Sequence, residues 1–353
     1  MSSRTPAIII GGTGYVAGEL LRLVLGHPHL SLQAITSDSQ PGEPVAKSFP
    51  HLAPLIADLK FSSVEAAADL AGGTPGSAVL AAAPHGVSAQ LLDGFLTTAE
   101  KSGAGPKLVD ISADFRYTTA AAYEEVYKHP HGAPARLAQF SCAVPEHLAQ
   151  ASTPYVAHPG CFATAVLLAS VPLLKLGLIE PRLFVAGVTG STGAGRTPTA
   201  GTHHPQRHSD LYAYNALSHR HTPEIRALAH AASGSVADFS FVPHSGPFAR
   251  GIHVTVQATA RNAIKTADLI AVLNDYYNNA FFVRVGAEMP RVKDVAASNF
   301  ARLSAVADGS TIAVMCVIDN LVKGAAGGAM QWMNRLLGLA ETAGLTAPAA
   351  GWT

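Results

Sequence analysis

The segment Gly11-Gly-Thr-Gly-Tyr-Val-Ala-Gly18 constrains this chain more than any other. It follows the apolar run Ala7 to Ile10 directly and precedes Glu19 to Leu25, where apolar residues recur at helical spacing. A strand, a glycine turn and a helix in that order begin a strand–helix–strand unit. Gly11 and Gly14 fit the tight turn and a close approach of backbone to a pyrophosphate, with Ala17 in the third small position. Helix N–H groups then hold the phosphates. Glycine triplets are common, so the position straight after a strand carries this reading as a dinucleotide turn.

Ser31 to Ile35, Ala78 to Ala83 and Leu108 to Ile111 are further short apolar runs ending in polar turns. Strands alternating with helices predict a doubly wound parallel sheet over residues 1–157. Beyond Cys161 the strands lengthen (Leu183 to Val188, Phe239 to Val242, Ile252 to Ala258, Thr311 to Ile318) and fewer helices separate them. A mostly antiparallel sheet suits that region. Asp319 to Leu339 reads as a last helix, and Thr342 to Thr353 as a loosely held tail. At 353 residues the chain is too long for most single cores, so two domains are expected.

Composition excludes several classes. Lys plus Arg equals Asp plus Glu at 24 each, which leaves no basic surplus to hold nucleic acid. Hydrophobic residues make up 48% and charged residues 14%, against disorder. Three widely spaced cysteines, Cys142, Cys161 and Cys316, do not make a disulfide framework. No histidine–cysteine spacing resembles a zinc site, so no metal is expected. The first ten residues lack a signal-peptide pattern. No apolar stretch reaches the ~18 residues of a membrane span, so neither a membrane nor export is expected and cytoplasm is.

Cys161 lies in His158-Pro-Gly-Cys-Phe-Ala-Thr-Ala165, where Pro159 and Gly160 predict a turn and Phe162 to Leu176 a helix, continuous or interrupted at Pro172. A cysteine at a helix mouth meets unpaired N–H groups and the positive end of the dipole, which favours thiolate. A small buried hydrophobe is the other ordinary fate of a free cysteine. Thr36-Ser-Asp-Ser39 ends the second strand, where an adenosine ribose is read. Asp38 there favours a free 2′-hydroxyl, whereas the three hydroxyls suit a 2′-phosphate. Gly190-Ser-Thr-Gly-Ala-Gly-Arg196 is a second glycine-rich element, either an approach to a ligand with Arg196 as anion anchor or a surface loop. In Ser218-His-Arg-His-Thr-Pro-Glu224, Thr222 fits an N-cap and Pro223 the first helical position, which puts His219 and His221 before a helix. Histidine is the usual proton shuttle, although the chain has 16. Asp110-Ile-Ser-Ala-Asp-Phe-Arg116 follows a strand; Arg116 suits phosphate or carboxylate, and either aspartate suits a helix cap.

Together with Ala83-Pro-His-Gly-Val-Ser88, Arg250-Gly-Ile252 and Asp319-Asn-Leu-Val-Lys-Gly324, these segments resemble the N-acetyl-gamma-glutamyl-phosphate reductases almost end to end. That family shares its architecture with aspartate-semialdehyde dehydrogenase. The resemblance implies an α/β fold: a Rossmann-type doubly wound parallel sheet plus an α+β substrate domain with a mostly antiparallel sheet. The first domain, 1–157, is completed by the C-terminal helix, 323–353, and 158–322 form the catalytic and oligomerisation domain. Two segments depart from the family. Ser141-Cys-Ala-Val-Pro-Glu146 stands for Tyr-Gly-Leu-Pro-Glu, and Phe162-Ala163-Thr164 for Tyr-Pro-Thr after Pro-Gly-Cys.

Carried over residue by residue, the resemblance implies Cys161 as nucleophile, forming a thioester with expulsion of phosphate, and His219 as acid/base with His221 second. It assigns NADP(H) to Gly11, Gly12, Thr13, Gly14, Tyr15, Val16, Thr36, Ser37, Ser39, Pro84, Gly193, Gly195 and Asn320. Ser112, Arg116, Arg196 and Glu224 are its substrate-binding residues. Its partners are a small acyl phosphate, inorganic phosphate and further copies of the chain, as dimer or tetramer. Three rivals differ in what they require. A sister reductase takes aspartyl or carrier-linked aminoadipyl phosphate, a cysteine hydrolase leaves the glycine turn unused, and a non-catalytic NADP sensor leaves Cys161 unreactive.

Overall fold

The computed structural model describes residues 4–102 and 105–351. Met1 to Ser3 of the expected leaderless start, and Trp352 and Thr353 of the expected tail, lie outside them. The chain divides into two compact units. One comprises 1–142, 150–158 and 326–346; the other comprises 143–149, 159–325 and 347–353.

The first unit is built on six strands: β1 (Thr5–Ile10), β2 (Leu30–Ile35), β3 (Ala78–Ala81), β4 (Lys107–Asp110), β5 (Phe140–Cys142) and β6 (Tyr155–Ala157). All are parallel, in the order β2-β1-β3-β4-β6-β5. β3 is buried throughout, as expected of a sheet covered on both faces. The strand order reverses beside β1, and the carboxyl ends of β1 and β3 border the crevice where such sheets take ligands. Helix Tyr15–Leu25 follows β1. Helix Gly327–Leu336 packs on β3, β4 and Tyr15–Leu25, with Met330, Trp332 and Met333 fully buried.

The last helix differs from the single span Asp319–Leu339. Asn320 and Leu321 form a turn, Val322–Ala326 a π-helical turn, and only Gly327–Leu336 is α-helical. Glycines at 324, 327 and 328 lower the cost of leaving regular α geometry. The tail also differs, because Asn334 Nδ2 donates to Glu341 O and Ala343 O and Leu345 is 2% exposed. Residues 341–345 are therefore tied down.

The second unit holds a seven-stranded mixed sheet: β7 (Ile179–Thr189), β8 (Tyr212–Ala213), β9 (Asp238–Ser245), β10 (Ile252–Ala260), β11 (Val283–Val285), β12 (Ala301–Asp308) and β13 (Thr311–Ile318). The order is β11-β12-β13-β10-β7-β9-β8, with β7–β9 and β11–β12 parallel and the other pairs antiparallel. Helix Cys161–Lys175 packs against β7, β10, β13 and the helix His221–Ser233. Residues 162–174 of it are all buried, as its lack of a polar face requires.

Of the two alternatives at Pro172 the helix takes the continuous one. A proline there frees the carbonyl four residues earlier. That carbonyl, Leu168 O, instead accepts the Tyr277 hydroxyl at 2.7 Å.

Candidate active site

The turn after β1 is shaped by close approaches on one side and by open space on the other. Gly11 has φ +83°, and a Cβ there would stand 2.6 Å from Ala83 N, past the end of β3. At Gly12 a Cβ would stand 2.5 Å from Thr36 O. Gly14, the N-cap of Tyr15–Leu25, has ordinary φ and nothing within 4 Å of a Cβ. The fold therefore needs Gly11 and Gly12, whereas Gly14 leaves a helix N-terminus bare, which is what a phosphate group needs. Thr13 and Val16 are half-buried and Tyr15 is exposed beside it.

Next along the sheet edge, Thr36 is buried and its hydroxyl accepts Gly11 N at 3.3 Å, so it braces the turn. Ser37 Oγ and Ser39 Oγ lie 3.4 Å apart, with Asp38 exposed between them. Asp38, Val64, Glu65, Asp69, Val87 and Leu91 contribute to a cleft of about 490 Å³. Pro84 is exposed after β3 and accepts Val87 N and Ser88 N.

The loop after β4 is a closed hydrogen-bond cage. Asp110 is fully buried and accepts Ser88 Oγ (3.0 Å), Ser112 N (3.1 Å) and Ser112 Oγ (2.5 Å). Burial outweighs these bonds and pushes its carboxyl up to about 6. Ser112 Oγ also accepts Asp114 N, which leaves that hydroxyl no proton for a substrate. Asp114 takes Gly86 N and Ala89 N, so one of the two aspartates caps a helix, the one starting at Ser88. Arg116 is 6% exposed, and its Nε and Nη2 donate to His158 O (2.9 Å) and Ile111 O (2.7 Å). These donors hold backbone together across the ends of β4 and β6.

Cys161 is the first residue of its helix, with Gly160 as N-cap and no side chain capping it. Glu224, 1% exposed, accepts Gly160 N at 2.6 Å and so fixes the turn that presents the thiol. Gly324 lies against the cysteine, since a Cβ there would stand 2.7 Å from Cys161 Cβ. Asp319 sets that segment by accepting Leu321 N, Val322 N and the Nε and Nη2 of Arg250. Lys323 and Glu146, both essentially buried, pair at 2.5 Å beside it.

His219 is packed by rings. Phe162, Tyr214, His221 and Phe241 stand 5.8, 5.6, 4.8 and 5.4 Å from it, centroid to centroid. Gly187 on β7 makes room for Phe162, whose ring edge would lie 2.5 Å from a Cβ. Burial, and then the Arg220 charge, lower the His219 ring to about 4. Its Nδ1 accepts His221 N at 3.2 Å, which leaves Nε2 to carry the proton of the neutral ring. Burial and then the charge at Cys161 raise the Tyr214 phenol, which ties Tyr214 electrostatically to the thiol. The helix begins at His221, one residue ahead of the expected Thr222 cap, so His221 sits in its first turn.

In the second glycine loop, Ser191–Ala194 form a 3-10 turn and Gly195 has φ +88°. Gly193 and Arg196 are exposed. Asn320 Nδ2 donates to Thr192 Oγ1 and its Oδ1 accepts Gly251 N, so this amide pins the loop and has one N–H left for a ligand.

The second unit thus brings Cys161, His219, His221 and Glu224 together, while Gly11 to Val16 and Thr36 to Ser39 line the sheet edge of the first. Sequence reasoning gave no role to Gly187, Tyr214, Glu146 or Gly324. Of these, Glu146 and Gly324 lay in quoted segments and were visible without an assigned job.

Comparison with known proteins agrees in both units. Residues 6–156 match the family model "Semialdehyde dehydrogenase, NAD binding domain" and residues 161–320 "Semialdehyde dehydrogenase, dimerisation domain". A Vibrio cholerae aspartate semialdehyde dehydrogenase II structure, complexed with ASA, matches at TM-score 0.70 and 16% identity over 95% of this chain and 98% of that one. A Candida albicans aspartate semialdehyde dehydrogenase with NADP matches at 0.68 and 14%, over 95% and 99%. The N-acetyl-gamma-glutamyl-phosphate reductase of Nitrosococcus oceani is 38% identical, covering 96% of this chain and 97% of its own. That of Methanosarcina mazei is 36% identical, over 99% of both. A cysteine opening a buried helix, a bare glycine turn on a parallel sheet and these full-length relatives place the chain in the N-acetyl-gamma-glutamyl-phosphate reductase family.

Proposed function

We propose that this protein reduces N-acetyl-gamma-glutamyl phosphate to N-acetylglutamate 5-semialdehyde and inorganic phosphate with NADPH, in cytoplasmic arginine biosynthesis. The observation that carries the reading is Cys161 at the start of a buried helix, its turn held by Glu224, with the neutral His219 ring packed edge-on against the next residue, Phe162.

The Cys161 thiolate attacks the acyl carbon; a C–S bond forms, the C–O bond to phosphate breaks, and phosphate leaves with that electron pair. Backbone N–H groups at the start of the helix stabilise the oxyanion. When bound, NADPH supplies the hydride that reduces the thioester carbon. The His219 Nε2–H then faces the thiohemiacetal oxygen as hydrogen-bond donor. His221 is the second candidate for moving the proton, because His219 Nδ1 is committed to a backbone N–H. Collapse of the thiohemiacetal returns the thiolate and releases the aldehyde.

Gly11, Gly12, Thr13, Gly14, Tyr15 and Val16 hold the cofactor's pyrophosphate. Ser37 and Ser39 take the 2′-phosphate, while Asp38, Glu65 and Asp69 in the adjoining cleft keep that charge on the serine side. Arg196, exposed on its loop, is the anchor for substrate phosphate or carboxylate. No helix among the described residues is long and apolar enough to cross a membrane. The chain self-associates as a dimer or tetramer through the open face of the seven-stranded sheet, where Phe184 is 50% and Val306 36% exposed.

The test is phosphate-dependent reduction of each cofactor by the semialdehyde. NADP should turn over faster than NAD, and Cys161→Ser should lose about 10⁴-fold or more in kcat while still binding cofactor. Near-normal turnover of the variant, or a faster reaction with aspartate semialdehyde, would sink the reading.

A further inference from the structure

Arg207 closes the four-residue helix His204–Arg207 and is 8% exposed. Its Nη1 donates to Asp210 O at 3.0 Å. Nε and Nη2, the side-on edge that grips oxyanions with two parallel bonds, are buried without a hydrogen-bond partner. No carboxylate pairs with Arg207 among the described residues. A guanidinium cannot shed its charge, so burying it uncompensated is costly until an anion meets it.

The same side chain walls a cavity of about 350 Å³ together with Ser191, Thr202, His204, His208 and Ser209. No carboxylate lines this cavity, and none of Cys161, His219, His221 or Glu224 does. Hydroxyls, imidazoles and a guanidinium around one space select a ligand rich in acceptors and negative charge. The cavity is several times larger than a bare phosphate ion, and Phe248 gives it an apolar wall.

We infer that this cavity binds a phosphorylated small molecule, with its phosphate on the side-on edge of Arg207. That edge is covered by its neighbours, so seating the phosphate displaces the wall. The helix that carries Arg207 is a single turn, His204–Arg207, and Ser209 just beyond it has φ +56°.

The probe is inorganic phosphate on the whole protein, with bound phosphate counted by equilibrium dialysis and thermal unfolding followed alongside. Phosphate released in the proposed reaction binds in every variant, so the difference between variants is what the experiment reads. Arg207→Leu should bind one phosphate fewer per chain and gain less in midpoint from phosphate, with turnover within twofold of the parent. Arg207→Lys keeps charge and size but loses the fork, and should bind that phosphate about tenfold more weakly; it carries the test if the leucine variant does not fold. Unchanged phosphate stoichiometry and affinity in both variants overturns the inference. So does loss of turnover, which would put Arg207 on the reaction path. Dissociation of the oligomer in Arg207→Leu also overturns it, since a second copy's carboxylate would then be the missing counter-charge.

Discussion

Two turns in this molecule use one local device for opposite ends. After β1 and after β6 the chain leaves a strand, turns on glycine and enters a helix whose N-cap is glycine with no side-chain cap. At Gly14 nothing of the protein stands within 4 Å of an added Cβ, so the helix end stays bare. At Gly160 the backbone N–H is taken by Glu224, and Gly324 is packed against the next residue. The first turn suits an anion arriving from outside; the second suits an anion made within the protein, on sulfur. A helix N-terminus serves either purpose, and the packing around it decides which.

Glycine-to-alanine exchange breaks the comparison most sharply. Gly14→Ala should leave the midpoint unchanged or slightly raised. Cofactor binding should weaken about 100-fold, because a methyl group displaces the pyrophosphate. Gly324→Ala should do the reverse, costing about 1–3 kcal/mol of stability through overpacking against Cys161. Cofactor titration and thermal unfolding of the pair check both; equal effects on affinity would erase the distinction.

Glu224→Gln should lower kcat by about 10- to 30-fold with KM within threefold, since a charge-assisted bond to Gly160 N is weakened and the thiol is presented less firmly. A rise in KM alone would instead make Glu224 a substrate ligand.

The two units should also differ in acid. The His219 ring titrates at about 4, below the usual 6.5, so the unfolded chain binds this proton first and stability falls as pH drops from about 6.5 to 4. Asp110 sits at about 6, above the usual 3.8, so the folded chain binds first and stability falls as pH rises through that window. In midpoints measured from pH 4 to 7, His219→Asn should flatten the first slope, less than completely because buried His147 also sits at about 4. Asp110→Asn should flatten the second. Parallel profiles for the two variants would contradict both environments.

The smallest effect on activity is expected at Tyr277→Phe. It strands the Leu168 carbonyl freed by Pro172 and should cost about 1–3 kcal/mol with little change in kcat. An unaltered midpoint would mean the helix tolerates that carbonyl unaided.

Much of this was legible in the sequence, and unevenly so. The glycine turn and the thiol's helix are local patterns, so Gly11 to Gly18 and His158 to Ala165 could be read directly. Pro172 left the continuity of its helix undecided, because its remedy lies at Tyr277, far along the chain. Ser112, Asn320 and Arg116 came as ligand contacts from the family resemblance, and hydrogen bonds to backbone, to Thr192 and to Asp110 occupy much of what they offer. Glu224 was read the same way, and its carboxylate holds Gly160. Gly187 was invisible, since what it accommodates is the Phe162 ring from another element. A residue's chemistry is written locally, whereas whether that chemistry is already spent depends on distant neighbours.

The helix Gly327–Leu336 belongs to the unit that the chain leaves at residue 158. Its fully buried Trp332, Met330 and Met333 are missing from that core until residues 159–325 have been synthesised. At about 5–20 residues per second, the intervening segment holds the ribosome for roughly ten to thirty seconds. During that interval the glycine turn belongs to an unfinished unit, and the nascent chain carries an apolar sheet face at β3 and β4 that the helix Gly327–Leu336 later closes.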